Sequence, residues 1–237
     1  MPALRGVKNE LRLSPPAQLG MTEVHAYSKP AHTFTGDFYL THRDHDRLWF
    51  VLGDVAGKGL PAAIFMAMIQ EELEHRIASC AATQCDPSTT MQRLHDFLRP
   101  LMPQNRFATI VIGHLRNDGH LTIANAGHCA PLIVRDGIIE QIDSTGPVAG
   151  LLEQSRWHSV TRELQPGDSI LLFSDGILEA RDRDGEEFGV DRITRALIRA
   201  SCGRSIIDAV LADAADYRFE DDVTLLAVTL PFESTAN

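Results

Sequence analysis

Gly53-Asp54-Val55-Ala56-Gly57-Lys58-Gly59 is the stretch on which the reading of this chain turns. It follows Leu48-Trp49-Phe50-Val51-Leu52, an unbroken apolar run that predicts a strand buried on both faces. A long amphipathic helix is expected from Leu60-Pro61, where a proline in the first turn has no needed N–H to lose. Asp54 thus stands at the end of a buried strand, among glycines that let the backbone crowd close to a ligand. A carboxylate in that position is either a ligand or a buried cost, and we read it as a ligand. The loop is not a nucleotide-binding P-loop. That motif puts four residues between its first Gly and its Gly-Lys pair and follows with Ser or Thr. Here three residues intervene, and Gly59 stands in the place of the hydroxyl. An acidic residue in such a loop repels phosphate unless a cation comes between them.

Composition narrows the field. With 237 residues and 44% hydrophobic content, the chain can bury a sizeable core as one domain. Its formal charge of −10, with no basic patch, argues against nucleic acid as a partner. Cys80, Cys85, Cys129 and Cys202 lack metal-ligand pair spacing and the density of a disulfide scaffold, as expected of thiols in a reducing cytoplasm. No signal peptide opens the sequence. The longest apolar helical run, Leu60 to Ile69, is too short for a bilayer, so no membrane partner is expected.

Residues 1–20 read as a leader or linker ending in Ser14-Pro15-Pro16, and residues 21–237 as the domain proper. Glu23 to Ser28 predicts a strand. Thr35-Gly36-Asp37-Phe38-Tyr39 begins a second, paired with the buried strand through the tip Arg43-Asp44-His45-Asp46. With His42 that tip resembles a metal cluster, but a charged hairpin tip explains it better. The helix after Gly59 carries Ala62, Met66, Ile69, Leu73 and Ile77 on one face. A second helix has Asp86 as N-cap, Pro87 at its first position, and Met91, Leu94, Leu98 and Leu101 as its core stripe. From Arg106 the period becomes that of strands: Phe107 to Leu115, Leu121 to Ala126, Pro131 to Val134, Ile138 to Ile142, Arg156 to Glu163 and Ser169 to Ser174. Helices are expected over Arg192 to Ala200 and from Ser205, with Ser205 and Asp208 as a capping box. A last strand runs from Val223 to Leu230.

Aspartates cluster at the ends of these strands: Asp54 and Asp175 after a strand, Asp221 before one, Asp37 beside a glycine. Any one of them is an ordinary turn or cap residue. Converging carboxylates, however, repel one another and are driven to protonate unless cations separate them. An all-oxygen set without His or Cys selects hard ions such as Mg²⁺ or Mn²⁺. Two such ions can deprotonate a water and neutralise phosphoryl oxygens during in-line attack.

Thr35-Gly36-Asp37-Phe38-Tyr39, Gly53 to Gly59, Ala124-Asn125-Ala126-Gly127-His128, Ser174-Asp175-Gly176 with Glu179-Ala180, and Asp221-Asp222-Val223-Thr224-Leu225-Leu226 come in the order seen in PPM-type protein phosphatases. The chain resembles their bacterial SpoIIE/RsbU branch, within the protein phosphatase 2C-like family, from Glu23 to Leu230. The resemblance implies an α+β fold, a four-layer α-β-β-α sandwich of two antiparallel sheets with helix pairs outside. It implies a metal-dependent hydrolase acting on phosphoserine or phosphothreonine in a signalling protein, such as a STAS-type anti-sigma-factor antagonist, in the cytoplasm. Because the segment before the domain is short, we expect constitutive activity or regulation by a separate partner, with self-association as a homodimer one route. It also implies roles. Asp54 bridges two Mn²⁺ or Mg²⁺ ions and the Val55 carbonyl completes one site. Asp175 and Asp221 hold the other ion, Asp37 binds directly or through water, and Asp222 supports. Asp54, Asp175 and Asp37 are thus the expected catalytic residues.

Three features depart from the wider family, one being that the eukaryotic members' phosphate-binding arginine near the N-terminus is not evident here. Thr35 replaces a first glycine, and the segment that carries a histidine acid in eukaryotic members reads Asp54-Val55-Ala56 here. The leaving-group acid is thereby unassigned. His128 is a candidate by chemistry, against a structural turn role. The rival functions are a small-molecule phosphoesterase using the same ions, and a pseudophosphatase that keeps the fold as a binding module.

Overall fold

The strand before Asp54 is β3 (Arg47–Val55), and it is buried on both faces because it lies between a helical layer and a second sheet. The computed structural model describes residues 22–44, 46–80, 85–103, 105–200 and 203–230. Trp49 and Val51 face outward into a core shared with α1 (Leu60–Ser79) and α2 (Pro87–Leu98). Leu48, Phe50 and Leu52 alternate with them and face the core between the two sheets. An antiparallel strand reads as continuously apolar here because both of its faces have a layer to pack against.

The first sheet has the order β2-β3-β4-β5-β8, from β2 (Phe38–Asp44), β4 (Ala108–Arg116), β5 (His120–Ala126) and β8 (Val160–Glu163). The second has the order β1-β10-β9-β6-β7. Its strands are β1 (Glu23–Lys29), β6 (Leu132–Arg135), β7 (Ile138–Gln141), β9 (Ser169–Phe173) and β10 (Val223–Thr229). Every pairing within both sheets is antiparallel. A single turn, α3 (Asp175–Leu178), follows β9, and α4 (Gly189–Arg199) and α5 (Gly203–Asp213) cover the second sheet through the core of Ile193, Leu197, Ile206 and Val210. The layers are α-β-β-α, as expected. No helix of the described residues is long and apolar enough to cross a membrane.

Local chemistry accounts for the element boundaries. The Asp86 carboxylate accepts from the Ser88 N–H at 2.9 Å and caps α2, and Pro87 starts it. That helix ends at Leu98, so Leu101 leaves the expected core stripe and is 45% exposed. β8 is shorter than predicted because the residues before it bond elsewhere. The His158 N–H donates to the Thr145 carbonyl at 3.4 Å, outside the β5–β8 ladder. α5 starts at Gly203, which puts Ser205 inside its first turn instead of at its cap. The charged tip of the β2–β3 hairpin is structural, since Asp44 accepts from Arg47 and from the Trp49 indole. The leader over residues 1–20, His45 and Cys202 lie outside the described residues.

One cysteine expectation is corrected. Cys80, which caps the end of α1, and Cys85, just before α2, form a disulfide with their Cα atoms 5.3 Å apart. The end of α1 and the approach to α2 bring the pair together, and spacing alone did not show it. A loop this short is expected to add about 2 kcal/mol on the chain-entropy account. Thiol titration of the denatured, unreduced chain should therefore find two fewer thiols than the four cysteines. Cys80→Ser should lower unfolding stability by about that amount. Four titratable thiols would show that the bridge does not form.

Candidate metal centre

The two sheets meet with four strand ends around one cavity. Asp54 lies at the end of β3, and Asp37 immediately precedes β2, whose Phe38 pairs with Gly53. Asp175 directly follows β9, and Asp221 stands two residues before β10. Asp37, Asp54, Asp175, Asp221 and Asp222 line a cavity of about 110 Å³, with Gly36, Gly57, Lys58, His32 and Phe34 around its mouth. The first sheet contributes one pair of carboxylates and the second sheet the other three.

Close backbone approach makes the arrangement possible. A Cβ on Gly36 would lie 2.6 Å from Asp54 Oδ1 and 2.9 Å from the Val55 carbonyl oxygen. Those two oxygens therefore converge on a spot that any side chain at position 36 would fill. On the other sheet, a Cβ on Gly176 would meet the Asp222 carbonyl oxygen at 2.0 Å, so α3 can pack against the strand entry only as glycine.

Asp222 ties the rim together. Its carboxylate accepts the Ala31 N–H at 2.7 Å and the Gly36 N–H at 3.1 Å, fixing the loop that carries Asp37. Its own N–H donates to Asp221 Oδ1 at 2.9 Å. The sequence pointed to a supporting role for Asp222, and this is its physical content. Arg106 was not singled out from the sequence. Its guanidinium donates to the Ala56 carbonyl at 3.0 Å while the Ala56 N–H donates to Phe107, so the Asp54 loop is held from both sides.

Electrostatics set the character of the cavity. Burial pushes Asp37 up to about 8, with Asp54 and Asp222 adding to the rise and the Ser174 and Thr224 hydroxyls opposing it. Burial, then the charges of Asp175, Asp221 and Asp222, push Asp54 up to about 7. Asp175 is raised by burial and by Asp221. Asp221 goes the other way: burial acts to raise it, but the Lys58 ammonium and the Asp222 N–H outweigh burial and hold it low. Asp37 Oδ2 is buried without a hydrogen-bond partner. Crowded oxygens, an orphaned carboxylate atom and a glycine-lined recess are what a hard divalent cation requires, so the residues fit one. Among the described residues no three His, Cys, Asp or Glu side chains close to the spacing of a finished metal site, and Asp221 is turned toward Lys58.

His128 does not join this cavity. Its Nδ1 lies 2.8 Å from Thr109 Oγ1, and Asn125 clamps its backbone N–H and carbonyl. Burial drives the imidazole down to about 4, so it is neutral at ordinary pH and a poor proton donor. The turn role fits it. Cys129, which follows, has a thiol that burial pushes up to about 12 beside Asp175, and it stays protonated.

The buried carboxylates have a consequence for stability. In the cation-free chain, folding raises Asp37 and Asp54 to about 8 and about 7, from an ordinary aspartate value of 3.8. The folded form binds more protons across that window, so stability falls as pH rises from about 4 to about 8. Thermal melts in chelator should show Tm dropping toward pH 8, and Mn²⁺ or Mg²⁺ at that pH should restore it. A Tm that neither falls with pH nor responds to the ions would contradict this description.

The profile of the Stage II sporulation protein E (SpoIIE) family matches residues 44–231. The phosphoserine phosphatase RsbU of Bacillus subtilis is 28% identical over 214 residues, covering 87% of this chain and 62% of the relative, so the chain spans less than two thirds of that protein. The RsbU and RsbW domains of a Mycobacterium tuberculosis protein superpose with a TM-score of 0.79 at 24% identity, over 91% of this chain and 63% of that one. RsbX, solved in complex with magnesium, gives 0.70 at 15% identity, over 88% of this chain and 95% of that one. The family profile covers most of the residues that build both sheets and the cavity between them, and the chain belongs to the SpoIIE family.

Proposed function

We propose that this chain is a metal-dependent protein serine/threonine phosphatase. The observation that carries the reading is a cavity into which both sheets deliver five crowded carboxylates. Asp54, the Val55 carbonyl and Asp37 would hold cations on one side, and Asp175 and Asp221 on the other. Two Mn²⁺ or Mg²⁺ ions, when bound, acidify water and neutralise phosphoryl charge. The chain's own residues do the rest. Asp222 fixes the Asp37 loop and Arg106 fixes the Asp54 loop.

Residues 21–237 form the catalytic domain in this reading, with 1–20 as a leader or linker. The RsbU relative, a phosphoserine phosphatase by name, supports a phosphorylated regulatory protein as substrate. We take a STAS-type regulator in the cytoplasm as the target, with self-association as a means of control. A cavity of about 110 Å³ admits a phosphoryl group, and its surroundings must supply the remaining selectivity.

Chelation should abolish turnover and Mn²⁺ or Mg²⁺ should restore it. Asp54→Asn and Asp175→Asn should each fold normally and lose at least about a hundredfold in kcat, the scale of removing a key electrostatic stabiliser. Full turnover by either variant, or in metal-free protein, would remove the two-ion mechanism. The substrate class is tested separately, through kcat/KM on a folded phosphoserine protein and on an aryl phosphate. The protein substrate should be strongly preferred. Equal efficiency would favour a small-molecule phosphoesterase, and no hydrolysis with ions bound would favour a pseudophosphatase.

A further inference from the structure

Lys58 is a cation already placed in a site that calls for cations. Its Nζ lies 2.8 Å from Asp221 Oδ2, and among the described residues it is the one Lys or Arg lining the cavity. The other Asp221 oxygen, Oδ1, accepts the Asp222 N–H. Both oxygens of this carboxylate are therefore engaged, one by rigid backbone and one by a flexible side chain. The Lys58 side chain is 64% exposed and Asp221 is 40% exposed, so the contact is solvated and displaceable. Lys58 cannot drift far. It sits between the loop that Arg106 and Phe107 hold and the first residue of α1.

From this the geometry points to a dual role for Lys58, resting on the phosphatase reading above: it competes with a divalent cation for Asp221, and once displaced it contacts the phosphoryl group of the substrate. An ammonium on Asp221 lowers the affinity of that corner for a second positive ion. An incoming ion sends the ammonium back into the mouth of the cavity. There it is the side chain with the right charge and reach to meet an anionic phosphate. Lys58 is a positioning residue in the first state and a substrate contact in the second. The sequence motif concealed this, because Lys58 attracts notice as a failed P-loop lysine.

The test uses the full chain and reads metal binding apart from activity. Mn²⁺ titrations followed by electron paramagnetic resonance give the affinity of each site. Lys58→Gln should tighten the weaker Mn²⁺ site by about two- to fivefold, the range of an exposed ion pair. In an Asp221→Asn background the same substitution should change nothing, because the competition acts through that carboxylate. Lys58→Arg should keep the unmodified affinity. Unchanged Mn²⁺ affinity in Lys58→Gln, or an equal gain in the Asp221→Asn background, overturns the competition. At saturating Mn²⁺, Lys58→Gln should raise KM for the phosphoserine protein more than it lowers kcat. An unaltered KM overturns the substrate contact. If the unmodified protein releases no phosphate at all, the phosphatase reading fails, and the Mn²⁺ titrations still decide whether Lys58 competes.

Discussion

Repulsion between buried carboxylates is the constraint on which the rest of this structure depends. Two like charges about 5 Å apart repel by roughly 3 kcal/mol at an effective dielectric of 20, and desolvation adds to that. Several such groups share one small cavity here, and three of them are driven toward protonation. Apolar packing offsets the cost. Trp49 and Phe50, on the strand that ends in Asp54, are fully buried, and burial of each side chain contributes about 1.5–3 kcal/mol.

Backbone hydrogen bonds convert that scaffold into geometry. Asp54 and Asp37 keep their relation through the β2–β3 ladder, and Asp175 and Asp221 keep theirs through β9 and β10. Only a few polar contacts bridge the two sheets at the site. Asp222, from the second sheet, grips the backbone at Ala31 and Gly36 beside the first. That grip is short, charge-assisted and directional, whereas the core behind it is none of these. Asp221, which meets Lys58 in the cavity, and Asp222, which also fixes its rim, are adjacent residues with different partners.

Much of this was readable in the sequence. The unbroken apolar run through Leu52 announced a strand covered on both sides, and the change of period at Arg106 announced the second block of strands. Aspartates at strand ends pointed to the cavity because burying a charge needs a reason. What could not be read were contacts between distant segments of plain composition. Arg106 looks like any arginine before a strand, and its grip on Ala56 exists only in three dimensions. The Cys80–Cys85 bridge depends on where α1 ends and α2 begins, which spacing rules for metal sites and secreted scaffolds do not address. Leu101 failed because a helical stripe says nothing about where the helix stops.

The pairing of β1 with β10 carries one more consequence. Glu23 lies opposite Thr229, so the edge of the second sheet joins segments from near the start and the end of the described chain. Loop closure on that scale is slow and comes late. During synthesis the first sheet can assemble as soon as β8 leaves the ribosome, with Asp37 and Asp54 already in place. Asp221 arrives with nearly the last strand. A half-made domain thus holds an acidic hollow lacking one of its walls, and the five carboxylates share one cavity only after β10 has paired.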